Sequence, residues 1–240
     1  MADAPAAGAW REKIDMGVFG LAPGFERISI LVTGIEPGRG TRAAAALLAR
    51  TAKPGALPGP DDPRIAAWRA AYAAAGIDPS VATPVEALAA WAATPAGIPS
   101  QGTVRDIVHA FSLQHGVPAA AYAVARIRGD LWLRPSRGCE HFLGIGDAAP
   151  SAPAINEIIL ADSADEVLAR HWHGRQGRST AADAACRAVL VHVDLLPPQA
   201  EAADDLAAAL ARLITGFAGG TAETRRLAWE TPQAAWPAVG

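Results

Sequence analysis

Residues 98–118 read IPSQGTVRDIVHAFSLQHGVP, and the fold turns on this stretch. Val104, Ile107, Val108 and Phe111 recur at i, i+3, i+4 and i+7, which draws one apolar stripe along a helix. The pattern ends at Gly116, a residue suited to the left-handed backbone that closes helices, and Pro118 prevents any continuation. Asp106, His109 and Ser112 follow one another at three-residue intervals off that stripe. Their types are those of an orienting acid, a base and a nucleophile. Side chains on consecutive turns of one helix point outward in parallel rather than converging, so a polar helix face is the better reading than a serine-hydrolase triad.

Working outward, residues 25–33 (FERISILVT) are rich in β-branched and apolar side chains and predict a strand leading into a turn over 34–40. Residues 43–49 look helical. Pro54, Pro58, Pro60 and Pro63 punctuate a linker, after which Ile65, Trp68, Tyr72 and Ala75 recur at helical spacing. Thr83-Pro84-Val85-Glu86 has the form of a capping box with proline at the first helical position, opening a helix that runs through Trp91. Beyond Pro118 the pattern becomes strand-like. Residues 122–128 and 130–134, on either side of Gly129, suggest a hairpin. Residues 156–160 and 187–195 are further strands, the second apolar at consecutive positions, as in a buried strand. Alanine-rich residues 200–217 form a closing helix ended by Gly219-Gly220. Strands and helices mix without βαβ regularity, which places the chain in the α+β class, with mixed sheets packed with helices and with the helix after Ser100 lying on a sheet that contains Tyr122, Trp132 and Val189.

The chain has 240 residues, 51% of them hydrophobic, enough for a substantial core without staples. A net charge of −3 argues against a protein that coats nucleic acid through a large basic surface, although a local patch remains compatible with it. Of the 21 basic residues only Lys13 and Lys53 are lysines, a bias that an arginine- and alanine-rich composition explains without phosphate recognition. Cys139 and Cys186 are too few and too far apart for a disulfide framework, and a reduced cytoplasmic setting fits them best. The N-terminal residues MADAPAAGAWREKID lack the apolar core of a signal peptide, and no run reaches membrane-spanning length, so the chain reads as soluble and unprocessed, with no membrane partner.

His141, His171 and His173, with Cys139 and Cys186, supply metal-ligand types, but the usual Cys-x-x-Cys and His-Glu-x-x-His spacings are absent and a polar histidine cluster is the simpler reading. Residues 174–180, GRQGRST, form a polar loop whose arginines and glycines suit an oxyanion, although no Walker motif is present. Glu157 and Asp162 flank a strand beside that loop. Trp132 and Trp172 are candidates to stack on a base or an aromatic side chain, with core packing the simpler role.

Read together with Ala121-Tyr122, Arg126-Ile127-Arg128-Gly129, Leu133-Arg134, Gly138-Cys139-Glu140 and Trp172-His173-Gly174-Arg175-Gln176, the helix and turn resemble the editing (B3/B4) domain of the bacterial phenylalanyl-tRNA synthetase beta subunit, over roughly residues 68–196. That family reads Val-Asp-x-x-Asn before Gly-x-Pro-x-His-Ala-Phe-Asp. An ungapped alignment puts Asp106 on the aspartate, His109 on the asparagine, and Gly116 and Pro118 on the glycine and proline. It also puts Ala120 on the histidine, Tyr122 on the phenylalanine and Ala123 on the second aspartate, so two polar groups are missing. The family's glutamate, which contacts a tyrosine hydroxyl, has no counterpart near Arg175, Gln176 and Gly177, which argues against tyrosine-specific editing.

The resemblance implies a free-standing protein with an N-terminal strand-helix segment and linker over residues 1–63 and a B3/B4-like domain with its C-terminal helix over 64–240, together one compact unit. It implies a deacylase of mischarged tRNA whose partner is the aminoacylated 3′ end. His109 and Asp106 would be the catalytic pair, and Arg134, Arg175, Gln176, Thr180 and Glu157 would bind substrate, with neither metal nor cofactor. An imidazole at His109 would place or deprotonate a water near its ordinary pKa of about 6.5. The alternative is a non-catalytic module of the same fold that binds an amino acid, a tRNA end or a protein partner, which Ala120 and Ala123 favour. A metal-dependent hydrolase would rest on the histidines alone, and the oligomeric state is left open.

Overall fold

The computed structural model describes residues 9–53 and 61–239, so Pro54, Pro58 and Pro60 of the expected linker lie outside the described residues. The chain runs through β1 (Trp10–Ile14), α1 (Met16–Leu21), β2 (Glu26–Thr33), α2 (Thr41–Thr51), α3 (Pro63–Ala74), α4 (Pro84–Ala92) and α5 (Thr103–His115). It continues through β3 (Ala119–Ala123), β4 (Leu131–Pro135), β5 (Ile158–Asp162), β6 (Val167–Arg170), β7 (Arg175–Gln176) and β8 (Ala188–Leu195). Helix α6 (Ala203–Ala218) and strands β9 (Thr221–Leu227) and β10 (Gln233–Trp236) complete it. These build an α+β architecture of two sheets packed with helices. One sheet has four antiparallel strands in the order β3-β8-β2-β9, and the other has six in the order β10-β1-β4-β5-β6-β7, parallel between β1 and β4.

Side-chain alternation on β2 and β8 organises the interior. Ile28, Ile30 and Val32, with Val189, Val191 and Val193, face the helices, where they meet the α5 stripe of Val104, Ile107, Val108 and Phe111 and Leu210 and Ile214 of α6. Each of the four α5 side chains is at most 7% exposed, and burying each contributes roughly 1.5–3 kcal/mol. The opposite faces of β2 and β8 carry Arg27, Ser29 and Leu31, and Leu190, His192 and Asp194. On that side a second core holds Trp10, Phe25, Trp68, Tyr72, Tyr122, Leu133, Trp172 and Trp236.

Local chemistry sets the helix ends. At α4 the Thr83–Glu86 capping box forms, and Arg69 grips the same glutamate from α3 at 2.8 Å. At the end of α5, Gly116 has φ 64°, and a Cβ there would sit 2.6 Å from the Arg64 guanidinium, which donates to the His115 carbonyl at 2.7 Å. The left-handed backbone favours glycine at 116, and a side chain there would also displace the Arg64 guanidinium from its bond.

Three expectations are corrected. Residues 122–128 and 130–134 do not form a hairpin: Tyr122 pairs with Leu190 in the four-stranded sheet, whereas β4 pairs with β1 and β5 in the other. A 3₁₀ turn at Val124–Arg126 and left-handed Gly129 carry the chain between the sheets. Trp132 consequently lies on a different sheet from Tyr122 and Val189. The third correction is at the C-terminus, where α6 does not close the chain; β9 pairs along β2 and β10 along β1. No helix among the described residues is long and apolar enough to cross a membrane.

Candidate functional site

Helices α4 and α5, the start of β3 and the segment leading into β7 enclose a cavity of about 420 Å³. Leu88 and Trp91 come from α4, Arg105 and His109 from α5, Ala119 and Ala120 from β3, and His173, Arg175 and Gln176 from the β7 side. The Gln176 amide donates to the Ala121 carbonyl at 2.8 Å and so ties β7 to β3 across the cavity floor. Arg175 donates to both carboxylate oxygens of Asp147, at 2.7 and 2.8 Å, with its guanidinium 5.4 Å from the centre of the Phe142 ring. The Trp91 ring meets His109 edge-on at 6.0 Å. Burial, followed by the charge of Arg105 one turn earlier, pushes the His109 pKa down to about 4. The imidazole is thus neutral at neutral pH and a much weaker base than the sequence suggests. Its Nδ1 has no hydrogen-bond partner among the described residues.

Most of the remaining sequence candidates lie elsewhere. Asp106 is fully buried at the start of α5, where it accepts from the Ser100 hydroxyl at 2.5 Å and the Gln101 amide at 2.7 Å. Ser112 does line the cavity, but its hydroxyl is spent on the Val117 carbonyl and so anchors the turn after α5. Arg134 lies in a separate cavity of about 630 Å³ with Lys13, Trp132 and Arg137, donating to Glu140 at 2.5 Å. Glu157 takes a two-pronged bond from Arg170, at 2.6 Å each, and sits 3.2 Å from His171. Thr180 is fully buried, and its carbonyl accepts from the Ala123 amide at 2.8 Å. Of the sequence candidates, then, His109, Ser112, Arg175 and Gln176 share a cavity, while Asp106, Arg134, Glu157 and Thr180 do not line it. The separation follows from the sheets: β4 and β5, which carry Arg134 and flank Glu157, lie in the middle of the six-stranded sheet, whereas the cavity opens at β7 on its edge, beside β3.

The 174–180 loop differs from the expected oxyanion cradle. The Gly177 and Arg178 amides are already bonded to the Leu168 and Leu143 carbonyls, at 2.8 Å each. A Cβ at Gly177 would lie 2.5 Å from the Val167 carbonyl, so glycine there permits close strand approach. Among the described residues no three His, Cys, Asp or Glu side chains are grouped to hold a metal ion, and Cys139 and Cys186 are free thiols. Trp172 is fully buried, stacked on Tyr72 at 5.8 Å, while Trp132 is 42% exposed beside Lys13.

Behind the cavity lies a group that sequence reasoning missed. Glu12 of β1, Arg27 of β2, and His192 and Asp194 of β8 are all fully buried between the sheets. Arg27 holds Asp194 through two hydrogen bonds, at 2.7 and 2.8 Å, and lies 3.6 Å from Glu12, which in turn lies 3.0 Å from His192. The second Arg27 nitrogen is also 3.2 Å from Nε2 of His173, a residue of the cavity wall. An arginine can only donate, so Nε2 is the acceptor toward Arg27, and the same nitrogen lies 3.4 Å from Asp194. Burial, reinforced by Arg27 against the pull of Asp194, takes the His173 pKa down to about 3. Burial works against ionised Glu12, yet His192 and Arg27 outweigh it and lower its pKa to about 2. Burial likewise opposes the Asp194 carboxylate, and Arg27 and His173 outweigh it. The readable signal was polar residues at alternate positions of otherwise apolar strands: Arg27 and Ser29 in RISILV, His192 and Asp194 in VLVHVDL. His173 is presented by a turn in which His171 and Trp172 both have left-handed backbone, φ 50° and 57°, held by the Tyr72 hydroxyl on the His171 carbonyl at 2.9 Å.

A comparison with curated protein sequences finds no match. Among solved structures, the fold resembles an N-terminal fragment of the phenylalanyl-tRNA synthetase beta-subunit from Pyrococcus horikoshii, with a TM-score of 0.51 and 10% identity. The likeness covers 94% of this chain and 54% of that one, and at this identity it concerns the fold. The B3/4 domain family matches residues 67–210, which include α4, α5, β3 and the whole cavity lining, and on that match the chain belongs to the B3/4 domain family.

Proposed function

We propose that this protein binds the aminoacylated 3′ end of tRNA in the α4–α5 cavity and hydrolyses the ester of mischarged tRNA, acting in trans in the cytoplasm. The observation that carries this reading is the convergence of His109, Arg175 and Gln176, from separate segments, on one cavity inside the matched region. No covalent nucleophile is called for. An aminoacyl ester is already activated, and holding a water in line with its carbonyl supplies several kcal/mol, on the order of the effective-molarity gains of oriented reactants. Neutral His109 suits that role as a hydrogen-bond acceptor for the water. With a pKa near 4 it contributes orientation more than basicity.

A second reading, a non-catalytic module that binds the same end, is favoured by the absence of a strong base in the cavity wall: His109 and His173 are both depressed, to about 4 and about 3, and Ala120 adds no polar group. The deciding experiment is a deacylation assay over a panel of mischarged tRNAs, with and without chelator. Hydrolysis of at least one ester, unchanged by chelator, is expected. Retention of every ester together with measurable binding of the charged 3′ end would transfer the assignment to the module.

A further inference from the structure

The cavity wall carries Arg105, Arg175, His109 and His173 and no carboxylate, in a chain whose net charge is −3. Arg175 is neutralised by Asp147, but Arg105 is half-buried and has no ion pair or side-chain hydrogen bond among the described residues. The carboxylate next to it in sequence, Asp106, is already committed to Ser100 and Gln101. A guanidinium partly withdrawn from water and left without an anion is energetically unfinished, and burial accordingly lowers its pKa. One helical turn along α5 stands His109, and edge-on to it Trp91, 38% exposed. Trp91, His109 and Arg105 thus make one continuous wall with an open indole at one end and an unpaired cation at the other. Leu88 and half-exposed Ile145 supply apolar surface between the polar groups.

We propose that this wall is a nucleotide subsite, in which Arg105 binds a phosphate and Trp91 stacks on the base. The assignment rests on the reading of the cavity as the ligand site and names the part of the ligand this wall holds. A lining without carboxylates gives an ammonium group no counter-charge, whereas Arg105 gives one to an anionic portion of the ligand. A free amino acid would also present an oxyanion to Arg105, as its carboxylate, but would leave the indole without a flat aromatic partner unless its own side chain supplied one.

The test is calorimetric titration of the full chain with adenosine 5′-monophosphate, adenosine, inorganic phosphate and L-phenylalanine. The variants are Arg105→Met, Arg105→Lys and Trp91→Ala, each checked for an unchanged melting temperature. Arg105→Met is expected to weaken the monophosphate about ten-fold, the scale of one charge-assisted hydrogen bond, and to leave adenosine unaffected. Arg105→Lys should restore part of the loss. Trp91→Ala should weaken the monophosphate and adenosine alike by about ten-fold, a typical stacking contribution, and spare inorganic phosphate. If Arg105→Met does not fold, the Trp91→Ala comparison decides alone. The proposal is overturned if the monophosphate fails to bind at millimolar concentration, if it binds equally to wild type and Arg105→Met, or if L-phenylalanine binds and the monophosphate does not. Monophosphate binding without deacylation would overturn the catalytic reading and keep the subsite, whereas deacylation indifferent to both variants would do the reverse.

Discussion

Asp194→Ala tests whether the buried charges between the sheets hold the structure as their geometry indicates. The substitution removes both short hydrogen bonds to Arg27, at 2.7 and 2.8 Å, and leaves a fully buried guanidinium with Glu12, 3.6 Å away, as its remaining carboxylate. Glu12 is also engaged with His192 at 3.0 Å, so it cannot compensate fully. Removing one partner of a buried ion pair costs about 3–5 kcal/mol, because the other charge stays desolvated and uncompensated. Against a typical stability of about 5–15 kcal/mol such a loss is readily measured. Equilibrium urea denaturation should show a lower midpoint with little change in slope. The double variant Arg27→Met, Asp194→Leu removes the charge and its nearer partner together, and it should recover part of the loss, since Glu12 keeps His192 but loses Arg27, giving a coupling well above the ~0.5 kcal/mol of independent sites. A single variant within about 1 kcal/mol of wild type, or strict additivity in the double variant, would refute the reasoning.

Two further outcomes follow from the titrating groups. His173 and His109 have folded-state pKa values of about 3 and about 4, below the ordinary 6.5, so the unfolded chain binds more protons between those limits. Their contribution is complete above pH 6.5 and declines as pH falls, by up to about 1.4 kcal/mol per pH unit for each histidine. Glu12, lowered to about 2, adds a loss that begins only below its ordinary 4.5. Denaturation midpoints that are level between pH 7 and pH 5 would contradict this. If the chain hydrolyses an aminoacyl ester, His109→Ala should lower turnover by about 10²-fold, the scale of a misplaced reactant, with little change in binding. The wild-type rate should then stay level down to pH 5 and fall only near 4; an acid limb at 6.5, or full activity in the variant, would remove His109 from the reaction.

Residues 98–118 were legible because their signals are local. The α5 stripe, the Gly116 closure and the Thr83–Glu86 capping box each involve residues within a few positions of one another, and the backbone obeys them. Strand partners were not legible. Alternation marks residues 122–128 and 130–134 as extended, overrunning the 3₁₀ turn at 124–126 and missing the start of β3, and carries nothing about which sheet receives them; the chain crosses from one sheet to the other at Gly129. β9 escaped notice because, as an edge strand, it exposes most of its side chains and buries fully only Leu227. For the site, resemblance pointed to segments, and segments that meet in the fold, such as those of His109 and Arg175, gave cavity residues. Arg134 and Glu157 were drawn from strands whose polar groups are spent on Glu140 and on Arg170.

Glu12 and Arg27 show the harder case. They stand on different sheets and meet only when the sheets pack, so nothing within either strand announces the pair. Yet this pair has consequences for the cavity. Arg27 and Asp194 both lie against Nε2 of His173, the strained turn at His171 and Trp172 fixes the position of that ring, and Tyr72 of α3 holds the turn from the other side. A wall of the cavity is therefore set by β2, β8 and α3, none of which contributes a lining residue. Substitutions at Arg27 or Asp194 that leave the chain folded should consequently disturb ligand binding as well as stability, although neither side chain reaches the ligand. Loss of stability with unchanged monophosphate affinity would show that the turn holds His173 without help from the charges beneath it.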